Sequence, residues 1–126
     1  MSELAIVMGV GASGALGAVS RYLIVEWMAR WWRKPFPLAI LLINVTGAFL
    51  LGLVTTAFAS PTQLDARLLL GVGFLGGYTT FSTLCYETFA LGRRGDMFYG
   101  WLNVIGSLLP GVLFAALGLT MGAHMR

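Results

Sequence analysis

The chain has 126 residues, of which 58% are hydrophobic and only 10% are charged, and its formal net charge is +3. Soluble globular domains carry about 25% charged residues, so this composition excludes that class and indicates an integral membrane protein. A single cysteine, Cys85, excludes an intrachain disulfide and a multi-cysteine metal site. No basic run is long enough to bind nucleic acid, so we expect no nucleic-acid partner.

Four apolar stretches predict an all-α membrane protein with one membrane domain over residues 1–126. Each stretch reaches the roughly 20 residues that a helix needs to cross the hydrocarbon core. The predicted helices cover about residues 4–28, 38–59, 68–91 and 98–123. The links between them are short, so we expect a compact four-helix bundle located in the cell membrane as a multi-pass protein.

The first predicted helix combines small residues with one charge inside its apolar stretch. The small residues let another helix approach closely, and they are Gly11, Gly14, Ala15, Gly17 and Ala18. Arg21 lies inside the same apolar stretch, where a charge is unfavourable unless it is paired, solvated or near an interface. We interpret Arg21 as functional; the alternative is that it extends to a lipid headgroup.

In the second predicted helix, Asn44 stands out among apolar neighbours. A side-chain amide offers two donor hydrogens and an acceptor oxygen, so Asn44 must either hydrogen-bond across helices or face a pore. Both interpretations remain open from the residues alone.

The third stretch is predicted to be a broken helix. Residues 71–87 read GVGFLGGYTTFSTLCYE, with small and polar residues crowded into the middle of an apolar segment. Non-helical backbone at membrane depth is tolerated where it is buried in protein or lines a wet cavity. The freed carbonyls can coordinate a cation, and the freed N–H groups and hydroxyls can meet an anion. This segment is therefore the predicted ion site, and we expect Glu87 to lie near a vestibule or to pair with a basic group.

The fourth predicted helix carries Tyr99, Asn103 and Ser107 at four-residue intervals. This spacing puts the three side chains near one face, where they form either a polar track or interhelical contacts. We also expect a kink at Pro110 and close helix packing at Gly118 and Gly122.

Three motifs together resemble the Fluc family, also called CrcB, of small fluoride channels. They are GASGALGAVSRY at residues 11–22, NVTGAFLLG at residues 44–52 and, most specifically, GFLGGYTTFST at residues 73–83. The order and length of the four predicted helices match this family across essentially the whole chain.

The resemblance implies a passive, fluoride-selective channel with no enzyme chemistry. It implies an antiparallel, dual-topology dimer in which two broken third helices cross, two fluoride pores run at the interface and a structural sodium ion sits at the centre. Backbone carbonyls of Gly76 and Thr79 from both subunits would bind the sodium. The fluoride pore would be lined by a ring edge, an amide and hydroxyls from Phe81, Asn44, Ser82, Thr83, Tyr99 and Asn103. Arg21 and Glu87 would lie at an aqueous vestibule.

Several positions depart from the family pattern. A second phenylalanine is replaced by Leu84, the serine after it by Cys85, and the serine of the fourth helix by Asn103. The second helix opens with Ala39 and Ile40 where Gly-Thr is usual. Fluoride is small and strongly hydrated, so the loss of donors raises its dehydration barrier and makes a cation such as sodium an alternative permeant ion.

The loop charges give a second alternative. Arg67 and Arg126 lie on the side of the termini, and five basic residues lie on the other side: Arg30, Arg33, Lys34, Arg93 and Arg94. Dual insertion needs a balanced count, because excess Lys and Arg favour the cytoplasmic side. A five-to-two bias therefore suggests both termini outside and an antiparallel heterodimer with an oppositely oriented paralogue, in place of a homodimer.

Three other function classes are less well supported. A small multidrug transporter also has four helices, but proton-coupled exchange needs a membrane-embedded carboxylate, and the first apolar stretch offers only Glu26 near its end. A scaffold protein remains an alternative if no ion moves. An enzyme is not expected, because the sequence has no nucleophile with a base, no phosphate loop and no metal-ligand cluster.

Overall fold

The computed structural model describes residues 1–125 and consists of helices joined by short turns. Arg126, which enters the predicted charge balance, lies outside the described residues. The elements are α1 (Glu3–Ala29), α2 (Leu38–Ala57), a 3₁₀ turn (Pro61–Gln63), α3 (Leu64–Arg67), a π-helix (Leu68–Leu75), α4 (Gly76–Tyr78), α5 (Phe81–Arg93) and α6 (Met97–His124).

Four spans of the described chain are long and apolar enough to cross a membrane. They are α1, α2, residues 61–93 and α6, with 27, 20, 33 and 28 residues. The predicted all-helical fold with four membrane-spanning segments is confirmed. We call residues 61–93 the third segment, and it is the one that is broken, as the sequence predicts.

The turns between the spans follow from local sequence. Pro35 and Pro37 interrupt helix formation after α1, because proline lacks an N–H and disfavours a helical residue before it. After α5, Gly95 takes a φ of +85°. Its N–H donates to the Gly92 carbonyl, and the Asp96 N–H donates to the Leu91 carbonyl. This is a Schellman motif, and it reverses the chain tightly into α6.

The break lets the third segment change its packing partner. Its first half, the π-helix and α4, packs on α1, and its second half, α5, packs on α6. α2 packs mainly on α6. One pair is therefore α1 with the first half of the third segment, and the other is α2 with α6. The second half of the third segment, α5, connects the two pairs because it packs on α6.

Glycines set the close approach in both pairs. A Cβ on Gly17 would overlap the Phe74 carbonyl, and one on Gly77 would overlap the Gly14 carbonyl. A Cβ on Gly118 would overlap the Phe49 carbonyl in the same way. Gly17 of α1 and Gly118 and Gly122 of α6 therefore serve helix packing, as the sequence predicts, whereas an added Cβ on Gly11 meets nothing within 4 Å. Pro110 lies inside α6, which continues beyond it to His124.

The π-helix directly precedes the break. Each π turn adds a residue to the hydrogen-bonded ring, a geometry that is rare and is frequently found at functional sites. The Ser13 hydroxyl on α1 lies 2.9 Å from the Leu69 carbonyl oxygen and 3.1 Å from the Val10 carbonyl oxygen. The bond to Leu69 ties the π-helix to α1 and fixes the approach of the chain to the break.

We expect Gly17→Ala to destabilise the fold and Gly11→Ala to leave it intact. The new methyl group at residue 17 must push α1 away from the third segment, at a cost of about 1–3 kcal/mol. Gly11 lies on the same helix with nothing within 4 Å of an added Cβ. Thermal unfolding in detergent, followed by circular dichroism, measures both variants, and equal loss of stability would contradict this packing account.

Candidate functional site

The break consists of two extended residues, Thr79 and Thr80, between α4 and α5. Their φ and ψ angles are −80° and 158° for Thr79, and −150° and 122° for Thr80. Thr80 is the N-cap of α5: its Oγ1 accepts a hydrogen bond from the Thr83 N–H at 3.2 Å. Thr80 also donates its hydroxyl to Thr83 Oγ1 at 3.0 Å. A threonine that caps a helix start stabilises the restart of the helix after the break.

Asn44 holds the break from the neighbouring helix α2. Its Nδ2 donates to the Thr80 carbonyl at 2.9 Å, and its Oδ1 accepts from the Thr80 N–H at 2.9 Å. The backbone groups that the break removes from a helix thus find side-chain partners, as membrane depth requires. This confirms a cross-helix hydrogen bond for Asn44. A contact between Asn44 and an ion stays a prediction, and the second Nδ2 hydrogen is the one that would make it.

Arg21 reaches the same break from α1. Its guanidinium donates to the Thr79 carbonyl at 3.0 Å, and the side chain is half-buried. A cationic donor to a neutral carbonyl makes a hydrogen bond stronger than an uncharged one. Arg21 is therefore hydrogen-bonded to the broken segment, and the headgroup alternative for its remaining donors stays untested. The predicted place of Arg21 at a vestibule stays a prediction.

A groove of about 380 Å³ opens beside the break, between α2, the third segment and α6. Its lining includes the predicted site residues Asn44, Gly76, Thr79 and Phe81, together with Leu84 and Ser107. The Phe81 side chain is 74% exposed, whereas Leu84 is buried. The groove thus joins the break and an exposed aromatic ring, both predicted from the sequence, in one space.

The groove opens beside the start of α5, whose first residue, Phe81, lines it. α5 has 13 residues, and the first N–H groups of such a helix have no intrahelical partner. The helix dipole places partial positive charge at the same end. Ser82 lies in this first turn, with its Oγ 3.3 Å from Thr80 Oγ1. Phe81, Ser82 and the Arg21 charge near Thr79 together favour an anion at this end of the break.

The predicted polar residues of α6 are not all at the groove. Ser107 lines it and is buried. Asn103 is fully buried, and its Nδ2 donates to Thr88 Oγ1 on α5 at 3.0 Å. The Tyr99 ring packs against Phe36, with 5.9 Å between ring centroids, and against Phe98. Tyr99 and Asn103 are therefore placed by helix packing in one subunit, and their roles in a pore stay predictions.

Glu87 lies elsewhere, in a second groove of about 180 Å³. The lining of this groove includes Glu87, Trp32, Lys34, Met28 and Ile40. Lys34 stands over the Trp32 ring, 5.3 Å from its centroid. Glu87 thus lines a groove together with Lys34, and both of its predicted settings, a vestibule or a pair with a basic group, stay predictions. Arg21 lines neither of these two grooves.

Sequence reasoning missed two residues of the site. Thr80 caps α5 and bonds Asn44, and a threonine immediately before a resumed helix is the signal for such a cap. Thr88 accepts from Asn103 and donates its hydroxyl to the Leu84 carbonyl at 2.8 Å. A threonine on a predicted helix gives no signal of this kind, because such hydroxyls usually bond their own backbone.

The sequence profile of the family described as CrcB-like protein, Camphor Resistance (CrcB), matches residues 8–119. The chain belongs to the CrcB family. This membership confirms the resemblance drawn from the three motifs and the prediction that the chain is not an enzyme. With four spans long enough to cross a membrane, this CrcB protein is a multi-pass protein of the cell membrane.

Several relatives of this CrcB chain carry a functional name. A protein of Prosthecochloris aestuarii, named Fluoride-specific ion channel FluC, is 44% identical over 117 residues, 91% of each chain. One of Bacillus cereus, named Fluoride-specific ion channel FluC 1, is 42% identical over 90% of this chain and 84% of its own. One of Geobacter metallireducens, named Fluoride-specific ion channel FluC, is 37% identical over 94% of this chain and 98% of its own.

Proposed function

We propose that this chain is a subunit of a passive, fluoride-selective ion channel that lets fluoride leave the cell along its electrochemical gradient. The observation that carries the proposal is the exposed Phe81 ring at the mouth of the groove, one residue after the Thr79–Thr80 break, in a chain whose relatives are named fluoride-specific channels.

The break and the first turn of α5 offer fluoride a set of partners that replaces part of its hydration shell. The ring edge of Phe81 carries positive partial charge, and the first-turn N–H groups and the Ser82 hydroxyl are donors. Asn44 retains one Nδ2 hydrogen after bonding Thr80. A strongly hydrated ion enters a membrane only where such partners repay its dehydration. Phe81, Ser82, Thr83 and Asn44 are the proposed fluoride contacts.

Two subunits assemble antiparallel in this proposal, and two pores run at their interface. The groove and the Phe81 ring are open in one subunit, so a second copy completes the enclosure that dehydrated fluoride needs. Tyr99 and Asn103 line the pore from α6, and Arg21 and Glu87 lie toward its aqueous ends.

A structural sodium ion joins the two breaks through the backbone carbonyls of Gly76 and Thr79. The Thr80 N–H, which would bond the Gly76 carbonyl in an unbroken helix, donates to Asn44 instead. The Gly76 carbonyl is therefore free for a cation. The Thr79 carbonyl accepts from Arg21 and has a second lone pair. A cation bound by carbonyls of both chains holds the oppositely oriented subunits together. It takes no part in transport.

The charge balance supports a second arrangement, an antiparallel heterodimer with an oppositely oriented paralogue. Labelling separates it from the homodimer: Cys85→Ala removes the native thiol, and Met97→Cys adds one beside the turn after α5 without changing any charge. Equal labelling from both faces, in cells that express this chain alone, is the homodimer result. Labelling from one face only is the heterodimer result.

Ion efflux from proteoliposomes tests the proposed function. Purified protein is reconstituted with mixed sodium and potassium fluoride inside and potassium outside, valinomycin lets potassium carry the balancing charge, and release is read with a fluoride electrode; parallel vesicles hold chloride in place of fluoride, or a large organic cation in place of sodium. We expect rapid fluoride release once valinomycin is added, with chloride retained and the same fluoride release when sodium is replaced. Sodium release with fluoride retained would make the chain a cation channel. Retention of every ion would overturn conduction by this chain alone.

A further inference from the structure

Two buried polar atoms on α6 have no hydrogen-bond partner within residues 1–125. They are Asn103 Oδ1 and Ser107 Oγ. Asn103 is 0% exposed and Ser107 is 6% exposed. Residues four apart on a helix are neighbours on one face, with Cβ atoms about 5–6 Å apart. Because buried polar atoms are normally hydrogen-bonded, such a pair indicates a ligand that partners both.

The orientation of the Asn103 amide follows from its neighbour. Thr88 donates its hydroxyl hydrogen to the Leu84 carbonyl at 2.8 Å, so its Oγ1 can only accept from Asn103. The Asn103 amide must therefore present Nδ2 to Thr88, at 3.0 Å, and cannot be reversed. Its Oδ1 is left as an acceptor that needs a donor.

Ser107 is the complementary case, a donor without an acceptor. Other hydroxyls on the helices donate to the carbonyl four residues before them, namely those of Ser20, Thr46, Thr55, Thr56 and Thr88. Ser107 has no such bond. It also lines the groove, whose volume of about 380 Å³ exceeds the roughly 30 Å³ that one water molecule fills.

We propose that Asn103 and Ser107 form a binding site for one water molecule, next to the part of the groove that Ser107 lines. Water accepts from the Ser107 hydroxyl and donates to Asn103 Oδ1, and two hydrogen bonds of about 2.8 Å span the distance between neighbours one helical turn apart. A bare anion satisfies only Ser107, because fluoride and Asn103 Oδ1 both accept. The site therefore takes a ligand that donates and accepts.

This site determines how fluoride passes α6, a step that rests on the proposed function. Fluoride at this level accepts from the Ser107 hydroxyl and from one hydrogen of the water, and the other hydrogen of that water goes to Asn103 Oδ1. The ion thus crosses with one water bound. A serine at residue 103, which the family pattern has, would instead donate to the ion directly. Asn103 is in this sense a specificity-determining residue of this chain.

A high-resolution crystal structure of the wild-type protein, grown without fluoride, tests the water site. We expect one ordered water within hydrogen-bonding distance of both Asn103 Oδ1 and Ser107 Oγ. A dry site in which the Ser107 hydroxyl donates to a carbonyl of its own helix would overturn the proposal.

Fluoride efflux from two Asn103 variants tests the consequence. Asn103→Ser replaces the acceptor with a donor, so we expect efflux to rise about tenfold. Asn103→Asp keeps the size but adds a negative charge, so we expect efflux to fall at least tenfold. A purely structural role would make both variants slower, and that result would contradict the proposal. Thr120→Val removes an exposed hydroxyl that bonds its own helix, and we expect it to conduct as wild type.

The two readouts separate this proposal from the proposed function. A wild-type crystal structure with the water, but no fluoride efflux, would overturn the channel function and support the water site. Efflux from wild type with a dry site would support the channel and overturn the water site.

Discussion

We expect Phe81→Ile to lower fluoride efflux about a hundredfold while the protein stays folded. The side chain is 74% exposed in one subunit, so its replacement removes little packing. Isoleucine has no ring edge with positive partial charge to meet an anion. A hundredfold loss corresponds to about 2.7 kcal/mol of barrier, at 1.36 kcal/mol for each tenfold change in rate. Proteoliposome efflux with a fluoride electrode measures it.

Phe89→Ile is the matched control for this variant. Phe89 lies on the same helix α5 and is 65% exposed, but it does not line the groove beside the break. We expect wild-type efflux from it and an unchanged elution volume for both variants. Wild-type fluoride efflux from Phe81→Ile would exclude the ring-edge contact. Equal losses of efflux in both variants would mean that the loss comes from removing any exposed aromatic ring of α5.

Asn44→Leu is expected to damage both stability and conduction. It removes both hydrogen bonds that hold the Thr80 backbone, and the Thr80 N–H is then left without a partner at membrane depth. A buried donor without a partner costs about 1–3 kcal/mol. We therefore expect the free energy of unfolding to fall by about 2–4 kcal/mol and efflux to fall at least tenfold. Denaturant unfolding in detergent measures the first quantity.

Thr55→Val controls for the loss of a polar group from α2. The Thr55 hydroxyl is exposed and bonds only the Leu51 carbonyl of its own helix. We expect its stability and efflux to match wild type within error. An Asn44→Leu protein as stable as Thr55→Val would show that the pair of bonds to Thr80 does not hold the break.

The four spans and the break were predictable because they follow from local patterns. Long apolar stretches fix the spans, and two adjacent glycines before Tyr78, Thr79 and Thr80 are poor helix formers that must find partners elsewhere. The structure turns this pattern into a defined break at Thr79 and Thr80. The sequence therefore predicted the position of the break to within a few residues.

The partners within the site were not predictable, since they depend on which helices pack together. Arg21 and Thr79 are 58 residues apart, and Asn44 and Thr80 are 36 apart. Their bonds arise because α1 and α2 meet the third segment at the break, through glycines that admit backbone contact. The π-helix was missed for a related reason: its residues read as ordinary helix, and the extra residue per turn has no sequence pattern of its own.

Leu84 shows how far the departures from the family pattern affect the site. It stands where a second phenylalanine is usual, and it is buried in the wall of the groove. The groove therefore keeps one aromatic edge, Phe81, and its remaining character comes from the break and the start of α5. If the chain conducts fluoride as proposed, we expect conduction to depend more on Phe81 than it would with two rings.

The reversal potential in a planar bilayer, under a tenfold sodium fluoride gradient, tests the central claim that the break carries fluoride. A fluoride-selective pore makes the dilute side negative, and the current reverses near 59 mV, the value for a tenfold gradient of a singly charged ion. We expect that sign and nearly that magnitude. A potential of similar size with the dilute side positive would mean that sodium is the permeant ion and would contradict the account.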